Sequence, residues 1–246
     1  DNQSAIRERV TQLRKVSTIE DEAYNLHLSL WNHRHELLGT NDAENPLDIL
    51  EPAIALHFLG FSVETDSDLG EMFDRGRRVR VAGLIDRKKM CVRISNTLPS
   101  RERRFTVAHE LGHGVKHPAL TTLHRDRAID GPVERRDWRE READSFASCF
   151  LMPARLVLQR FVEYFGCQIL RFDENSVYGL QLRSVDQALQ HIRCTRHMSL
   201  LVAKTNSYMG RPFVSLSDYF GVSAATMAIR LEELGLIEDF AERRFF

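Results

Sequence analysis

The stretch Arg104-Phe-Thr-Val-Ala-His-Glu-Leu-Gly-His113 decides how this chain is interpreted, because it ends in the motif His109-Glu-Leu-Gly-His113. Successive residues of an α-helix are turned by about 100°, so positions i and i+4 return to the same face. On a helix, His109 and His113 therefore direct their imidazoles at one point. That point suits a Zn²⁺ ion, with Glu110 one step further round the helix as general base for an attacking water. The motif predicts a hydrolase, and a peptide bond is the favoured substrate.

The motif alone is short, and a helix rich in Glu and His can contain it without binding a metal. A hydrolytic zinc site needs three protein ligands and one open position. Metzincins have their third ligand ten residues after the first His, and that position is Ala119, which excludes this class. Ligands at i, i+4 and i+8 of one helix would spread over about 12 Å, which is too far for one ion. His117 is therefore interpreted as a residue at the helix end or behind a ligand.

The favoured third ligand is Glu140, in the stretch 140–153. Apolar residues recur here at helical spacing up to Pro153: Ala143, Phe146, Ala147, Phe150 and Leu151. Glu140 and Asp144 are i and i+4, whereas Glu142 points elsewhere. In gluzincins a Glu at the first position binds the metal, and the residue at the second accepts a hydrogen bond from a ligand His and so fixes its tautomer. The alternative is an exposed Glu140 that forms salt bridges within the charged run 134–142.

Together these segments resemble the ImmA/IrrE family of metallopeptidases. The resemblance spans roughly residues 46–237 and is dense at a few places: 104–113, 140–147 with 150–153, 83–86 with 91–96, and 220–237. It implies an α+β fold with a minimal zincin-like core, made of the HExxH helix, a Glu-bearing helix and a small antiparallel sheet, between mostly helical N- and C-terminal regions. Three segments are expected: an N-terminal helical segment (1–45), the peptidase core (46–165) and a C-terminal region with a helix-turn-helix-like element (166–246).

The same resemblance implies a cytoplasmic, zinc-dependent endopeptidase that cleaves a helix-turn-helix repressor and so relieves repression of a mobile element or a stress regulon. Carried over to this chain, His109, His113 and Glu140 are the metal ligands and Glu110 is the catalytic base. Mn²⁺ is an alternative to Zn²⁺, because a His₂Glu site accepts either ion. The family commonly has Asn where this chain has Asp144, and Asp accepts the same hydrogen bond.

Composition limits the other classes of function. The net charge of -1 gives no overall basic field, so nucleic-acid binding is not favoured. The four cysteines have no CxxC spacing and are expected to be reduced and mostly buried. No apolar run approaches 18 residues and no signal-peptide pattern is present, so no membrane association and an intracellular location are expected.

Hydrophobic patterns predict the elements around the motif. Two helices are expected within 4–38, and further helices over 47–59, 154–165 and 180–192. The helix with the HExxH motif is expected to begin at a cap at Ser100, and another helix is expected through the Glu140 stretch. Strands are expected near 61–64, in a hairpin formed by 79–86 and 90–95, and at 198–203. A loop is expected over 118–132. An edge strand of the hairpin, beside the HExxH helix, is the expected place for an extended substrate peptide to pair.

Two non-proteolytic alternatives remain open on the sequence alone. In the first, the protein is a regulator whose C-terminal element binds DNA or a repressor. Two short helices are predicted around Gly221 within 215–237, but the second carries only Arg230 as a basic residue, which favours packing or protein contact over DNA recognition. In the second, the protein is a toxin–antitoxin component that binds a partner through its N-terminal helices.

Overall fold

The computed structural model describes residues 18–39, 44–74, 77–117, 124–127, 138–182, 184 and 192–238. These residues fall into two compact units, one within 17–151 and the other within 152–246. The predicted first helix, over about residues 4–16, lies outside the described residues. The expected segments 1–45, 46–165 and 166–246 concern functional modules and stay a prediction.

The first unit contains helices on a small sheet, which confirms the α+β class. Its helices are Thr18–Asn32, Arg34–Leu38, Pro52–Phe58, Ser100–Lys116 and Trp138–Leu151, with a 3₁₀ turn at Asp48–Leu50. Its strands are β1 (Ser62–Asp66), β2 (Glu71–Asp74), β3 (Arg77–Asp86), β4 (Cys91–Ser95) and β5 (His124–Arg127). Ser100–Lys116 is called the HExxH helix below, and Trp138–Leu151 the Glu140 helix.

The long strand β3 organises the sheet. It pairs antiparallel with β4 as the predicted hairpin, while its other side pairs with β2 near its start and with β5 near its end. Strand β1 pairs parallel with β4. Both hairpin strands are thus internal, and the edges of the described sheet are β1 on one side and β2 and β5 on the other. The expectation that a hairpin strand offers an edge to substrate is therefore wrong.

The HExxH helix lies at the centre of this unit. All its residues from Thr106 to His113 are buried, and it contacts β3 and β4 as well as the Glu140 helix. A helix enclosed on all sides does not show a simple apolar stripe. The helix Thr18–Asn32 packs on the Glu140 helix, and its side chains Ala23, Leu26 and Leu30 are buried.

Proline changes two predicted helix starts. The helix expected over 47–59 is divided, because Pro52 lacks an N–H and favours an extended conformation at the preceding Glu51, which has φ −82° and ψ 112°. A new helix then begins at Pro52. In the HExxH helix, Ser100 is the first helical residue and Pro99 occupies the cap position, so the prediction of Ser100 as cap is wrong.

The second unit is mainly helical. Its helices are Ala154–Phe165, Glu174–Gly179, Thr195–Lys204, Leu216–Tyr219 and Ala224–Glu233, and a small hairpin joins β6 (Ser207–Tyr208) to β7 (Arg211–Pro212). The two helices predicted around Gly221 are confirmed, and this glycine has φ +62°. Most of the helix predicted over 180–192 lies outside the described residues.

The strand predicted over 198–203 is wrong, because these residues belong to the helix Thr195–Lys204. Its buried side chains are Met198, Ser199, Val202 and Ala203, a spacing of i, i+1, i+4 and i+5 that forms one helical face. The short apolar run Leu200-Leu201-Val202 concealed this period in the sequence, since runs of that length do not distinguish a strand from a buried helix.

The sequence led us to expect reduced, mostly buried cysteines and no membrane association. All four thiols are free, but only Cys149 is buried and Cys194 is exposed, so the expectation of mostly buried thiols is wrong. Within the described ranges, no helix combines the length and the apolar character needed to cross a bilayer.

His27 couples the stability of this fold to pH. Its Nε2 lies 3.0 Å from the backbone oxygen of Phe150, at the end of the Glu140 helix. Burial lowers the pKa of His27 from 6.5 to about 4, although the hydrogen bond to Phe150 opposes this shift. The folded state therefore keeps this imidazole neutral at pH values where the unfolded chain takes up a proton.

We expect the free energy of unfolding to fall by up to about 3 kcal/mol as the pH drops from about 6.5 towards 4. Below that pH, His27 is protonated in both states and should lower the free energy of unfolding no further. The check is chemical denaturation of the wild type and His27→Gln across pH 7 to 4. Gln stays neutral and can still donate to Phe150, while other titrating groups are common to both proteins. A difference between the two free energies that does not change with pH would contradict the assignment.

Candidate metal centre

The structure brings together the three predicted ligands. His109 Nε2 and His113 Nε2 lie 3.0 Å apart, and they approach the two carboxylate oxygens of Glu140 at 3.3 Å and 3.5 Å respectively. Both histidine side chains are almost fully buried and that of Glu140 is 15% exposed. No second cluster of three or more His, Cys, Asp or Glu side chains converges in this way within the described part of the chain.

These separations fit a metal ion. Ligand atoms around a tetrahedral zinc, with bonds of about 2.0–2.1 Å, lie about 3.3 Å from one another. The observed distances of 3.0, 3.3 and 3.5 Å, of which the last two run to different oxygens of Glu140, lie close to that value. Two imidazoles and one carboxylate form the His₂Glu donor set of hydrolytic zinc enzymes. Further carboxylates at Glu110 and Asp144 add negative charge that a divalent cation would offset.

Asp144 holds His109 as the sequence predicts. The Nδ1 of His109 donates to Asp144 Oδ1 at 2.9 Å, one turn of the Glu140 helix after Glu140. This hydrogen bond places the proton on Nδ1 and leaves the lone pair of Nε2 directed at the centre of the cluster.

Glu110 lies against the sheet, fully buried. A Cβ atom added to Gly83 of β3 would come within 3.0 Å of Glu110 Oε1 and 2.8 Å of Thr106 Cγ2. The missing side chain at Gly83 thus provides the space for the Glu110 carboxylate beside the strand. This role of Gly83 was not predicted, although a glycine inside a strand pattern is a sign of close approach by another group.

Arg87 is a second residue whose role the sequence did not indicate. It belongs to the turn of the hairpin, and its Nη2 donates to the backbone oxygens of His113 at 2.7 Å and Gly114 at 2.8 Å. Carbonyl groups in the last turn of a helix have no partner within the helix. Arg87 supplies a partner for the Gly114 oxygen and a second one for the His113 oxygen, which also accepts from the backbone N–H of His117, and so fixes the end of the helix that carries His113. A contact between residues so far apart in sequence leaves no local pattern.

Gly112, the fourth residue of the motif, sets the distance between the two helices of the site. An added Cβ would lie 2.9 Å from the backbone oxygen of Ala143 and 3.0 Å from its Cα. Only a residue without a side chain allows this approach. Because Glu140 lies one turn before Ala143, the contact brings its carboxylate within reach of both histidines.

We expect Gly112→Ala to lower the free energy of unfolding by about 1–3 kcal/mol, because the backbone of Ala143 must move. Zinc affinity should fall with it, since the same movement carries Glu140 away from the histidines. Gly114→Ala is the matched control in the same helix: its Cβ would meet nothing closer than 3.8 Å, and helix propensity favours Ala by up to about 1 kcal/mol. Denaturation and zinc titration check both variants, and unchanged behaviour of Gly112→Ala would exclude the tight crossing.

Comparison with known proteins agrees with this geometry. Residues 65–170 match the model of the M78 peptidase family, described as the IrrE N-terminal-like domain. A search of curated proteins gives no match. The matched stretch contains the β3–β4 hairpin, the HExxH helix and the Glu140 helix, and thus every residue of the metal centre. Over residues 65–170 the chain is therefore similar to a metallopeptidase domain of the ImmA/IrrE family, in agreement with the resemblance that its motifs indicated.

Proposed function

We propose that this protein is a zinc-dependent endopeptidase whose metal is held by His109, His113 and Glu140. The observation that carries the proposal is the convergence of His109, His113 and Glu140, whose donor atoms lie within 4.8 Å of one another, on two helices of the segment that matches the M78 peptidase model. A zinc ion held there supplies Lewis acidity towards the scissile carbonyl and towards the attacking water. Zinc is preferred over manganese because two of the three donors are imidazoles.

Glu110 is proposed as the general base. It follows His109 directly and so lies one step round the helix from a proposed ligand. Its carboxylate takes a proton from the attacking water and passes it to the leaving amine. Gly83 keeps the strand backbone close to this carboxylate, which limits the directions in which the side chain can turn. Asp144 keeps His109 in the tautomer that can bind the metal.

The substrate is proposed to bind as an extended strand at the β5 edge. An edge strand presents backbone N–H and C=O groups to which a peptide can add. Strand β5 pairs with Val81, Leu84 and Ile85 of β3, which flank Gly83 and hence Glu110. The other described edge on that side, β2, pairs with an earlier part of β3, further from the site.

DNA binding is not favoured by the C-terminal helices. Arg230, the basic residue of the helix Ala224–Glu233, is only 4% exposed, and its Nε donates to the backbone oxygen of Met152 at 3.0 Å. Along this helix the exposed positions are Ala225, Ile229 and Glu233, none of which attracts phosphate. We propose a packing or protein-binding role for this element. That the substrate is a helix-turn-helix repressor rests on the family resemblance.

We expect Glu110→Gln to retain zinc and to lose hydrolysis by about 10²–10⁴-fold, because the amide cannot take the proton from water. The assay incubates the zinc-loaded full chain with a peptide library from a digested bacterial lysate, and mass spectrometry detects new internal termini. Glu102→Gln is the matched control, since Glu102 is exposed on the same helix. It should cleave at the wild-type rate.

Equal cleavage by Glu110→Gln and the wild type would contradict the mechanism, and trimming only from peptide ends would contradict an endopeptidase. The preferred sequence found in the library then guides a second assay on purified helix-turn-helix repressors. Cleavage of a repressor at one internal position supports the proposed substrate class. Cleavage of unfolded peptides alone argues against it.

A further inference from the structure

The two histidines of the metal centre have different hydrogen-bond partners behind them. His109 Nδ1 contacts the carboxylate of Asp144 directly. His113 Nδ1 lies instead 3.1 Å from His117 Nδ1, and His117 Nε2 lies 3.2 Å from Glu142 Oε2. The imidazole of His117 thus lies between His113 and the carboxylate of Glu142. These three residues are called the relay below.

Metal binding by His113 allows only one arrangement of protons in this relay. If Nε2 of His113 offers its lone pair to a metal, its Nδ1 carries the proton and donates to Nδ1 of His117. His117 then carries its own proton on Nε2 and donates it to the carboxylate of Glu142. In this arrangement, both hydrogen bonds, from His113 to His117 and from His117 to Glu142, join a donor to an acceptor.

We propose that His117 and Glu142 are positioning residues for His113, which hold it in its metal-binding tautomer as Asp144 holds His109. This inference rests on the proposed function, because it concerns the same metal. His117 is suited to the task because it is 7% exposed and follows the last residue of the HExxH helix. There its backbone N–H also donates to the His113 oxygen. Glu142 was expected to point away from the metal, and it does so towards His117.

A purely structural role for His117 is the alternative, since its ring also packs edge-on against Trp138, with 5.7 Å between ring centroids. Substitutions separate the two roles. Phe at position 117 preserves a planar ring but can neither accept from His113 nor donate to Glu142. Gln can do both, through its carbonyl oxygen and its amide N–H. Trp138→Leu removes the ring contact and leaves the relay intact.

The test is the zinc affinity of the full chain, measured by competition with a chromophoric chelator, together with the visible absorption bands of the Co²⁺-loaded protein. We expect His117→Phe to weaken zinc binding by about 10- to 100-fold and to shift the Co²⁺ bands. His117→Gln should restore most of the affinity, and Trp138→Leu should bind like the wild type. Glu142→Ala, at a partly exposed position, should weaken binding less than His117→Phe and serves if that variant does not fold.

Wild-type affinity and an unchanged Co²⁺ spectrum in His117→Phe, or in Glu142→Ala where His117→Phe does not fold, would overturn the relay. So would equal weakening by His117→Phe and Trp138→Leu, which would show a packing effect. In both cases the wild type still binds zinc and the proposed function stands. Failure of the wild type itself to bind zinc would overturn the proposed function and the relay together.

Discussion

The contact between Gly112 and Ala143 is the constraint on which the rest of the site depends. The histidines lie on one helix and Glu140 and Asp144 on another, so donor atoms from both converge only if the helices cross closely. At Gly112 an added methyl group would come within 2.9 Å of the opposing backbone. Neighbouring contacts orient the same helices: Arg87 fixes the end of the HExxH helix, and Thr18–Asn32 packs on the Glu140 helix.

The site places polar groups where a fold of this size would otherwise have its apolar core. His109, Glu110 and His113 are each no more than 1% exposed, and burying such groups is unfavourable unless they find partners. Hydrogen bonds to Asp144 and His117 satisfy the outer nitrogens of the two histidines. A divalent cation would satisfy the inner nitrogens and balance the carboxylates. Metal binding is thus expected to contribute to the stability of the fold as well as to its chemistry.

The parts of the molecule that local pattern determines could be predicted from the sequence. The HExxH helix, the Glu140 helix and the β3–β4 hairpin follow from spacing. His109 and His113 converge as the i, i+4 argument indicates, and Glu140 meets them as the gluzincin arrangement implies. The features that depend on contacts across the chain were missed or misread. Strand β5, with the sequence His-Arg-Asp-Arg, has no apolar alternation, and the apolar run near Leu200 suggested a strand where the chain is helical. The roles of Gly83 and Arg87 become visible only when their distant neighbours are known.

Metal content tests the central claim most directly. Elemental analysis is made on the purified full chain after zinc loading and removal of loosely bound ions, for the wild type, Glu140→Ala and Glu36→Ala, the last at an exposed acidic position away from the site. The wild type and Glu36→Ala should each retain about one zinc per chain, and Glu140→Ala should lose most of it, because two histidines alone hold the ion weakly. No zinc in the wild type, or equal zinc in Glu140→Ala, would contradict a three-ligand centre built across the two helices.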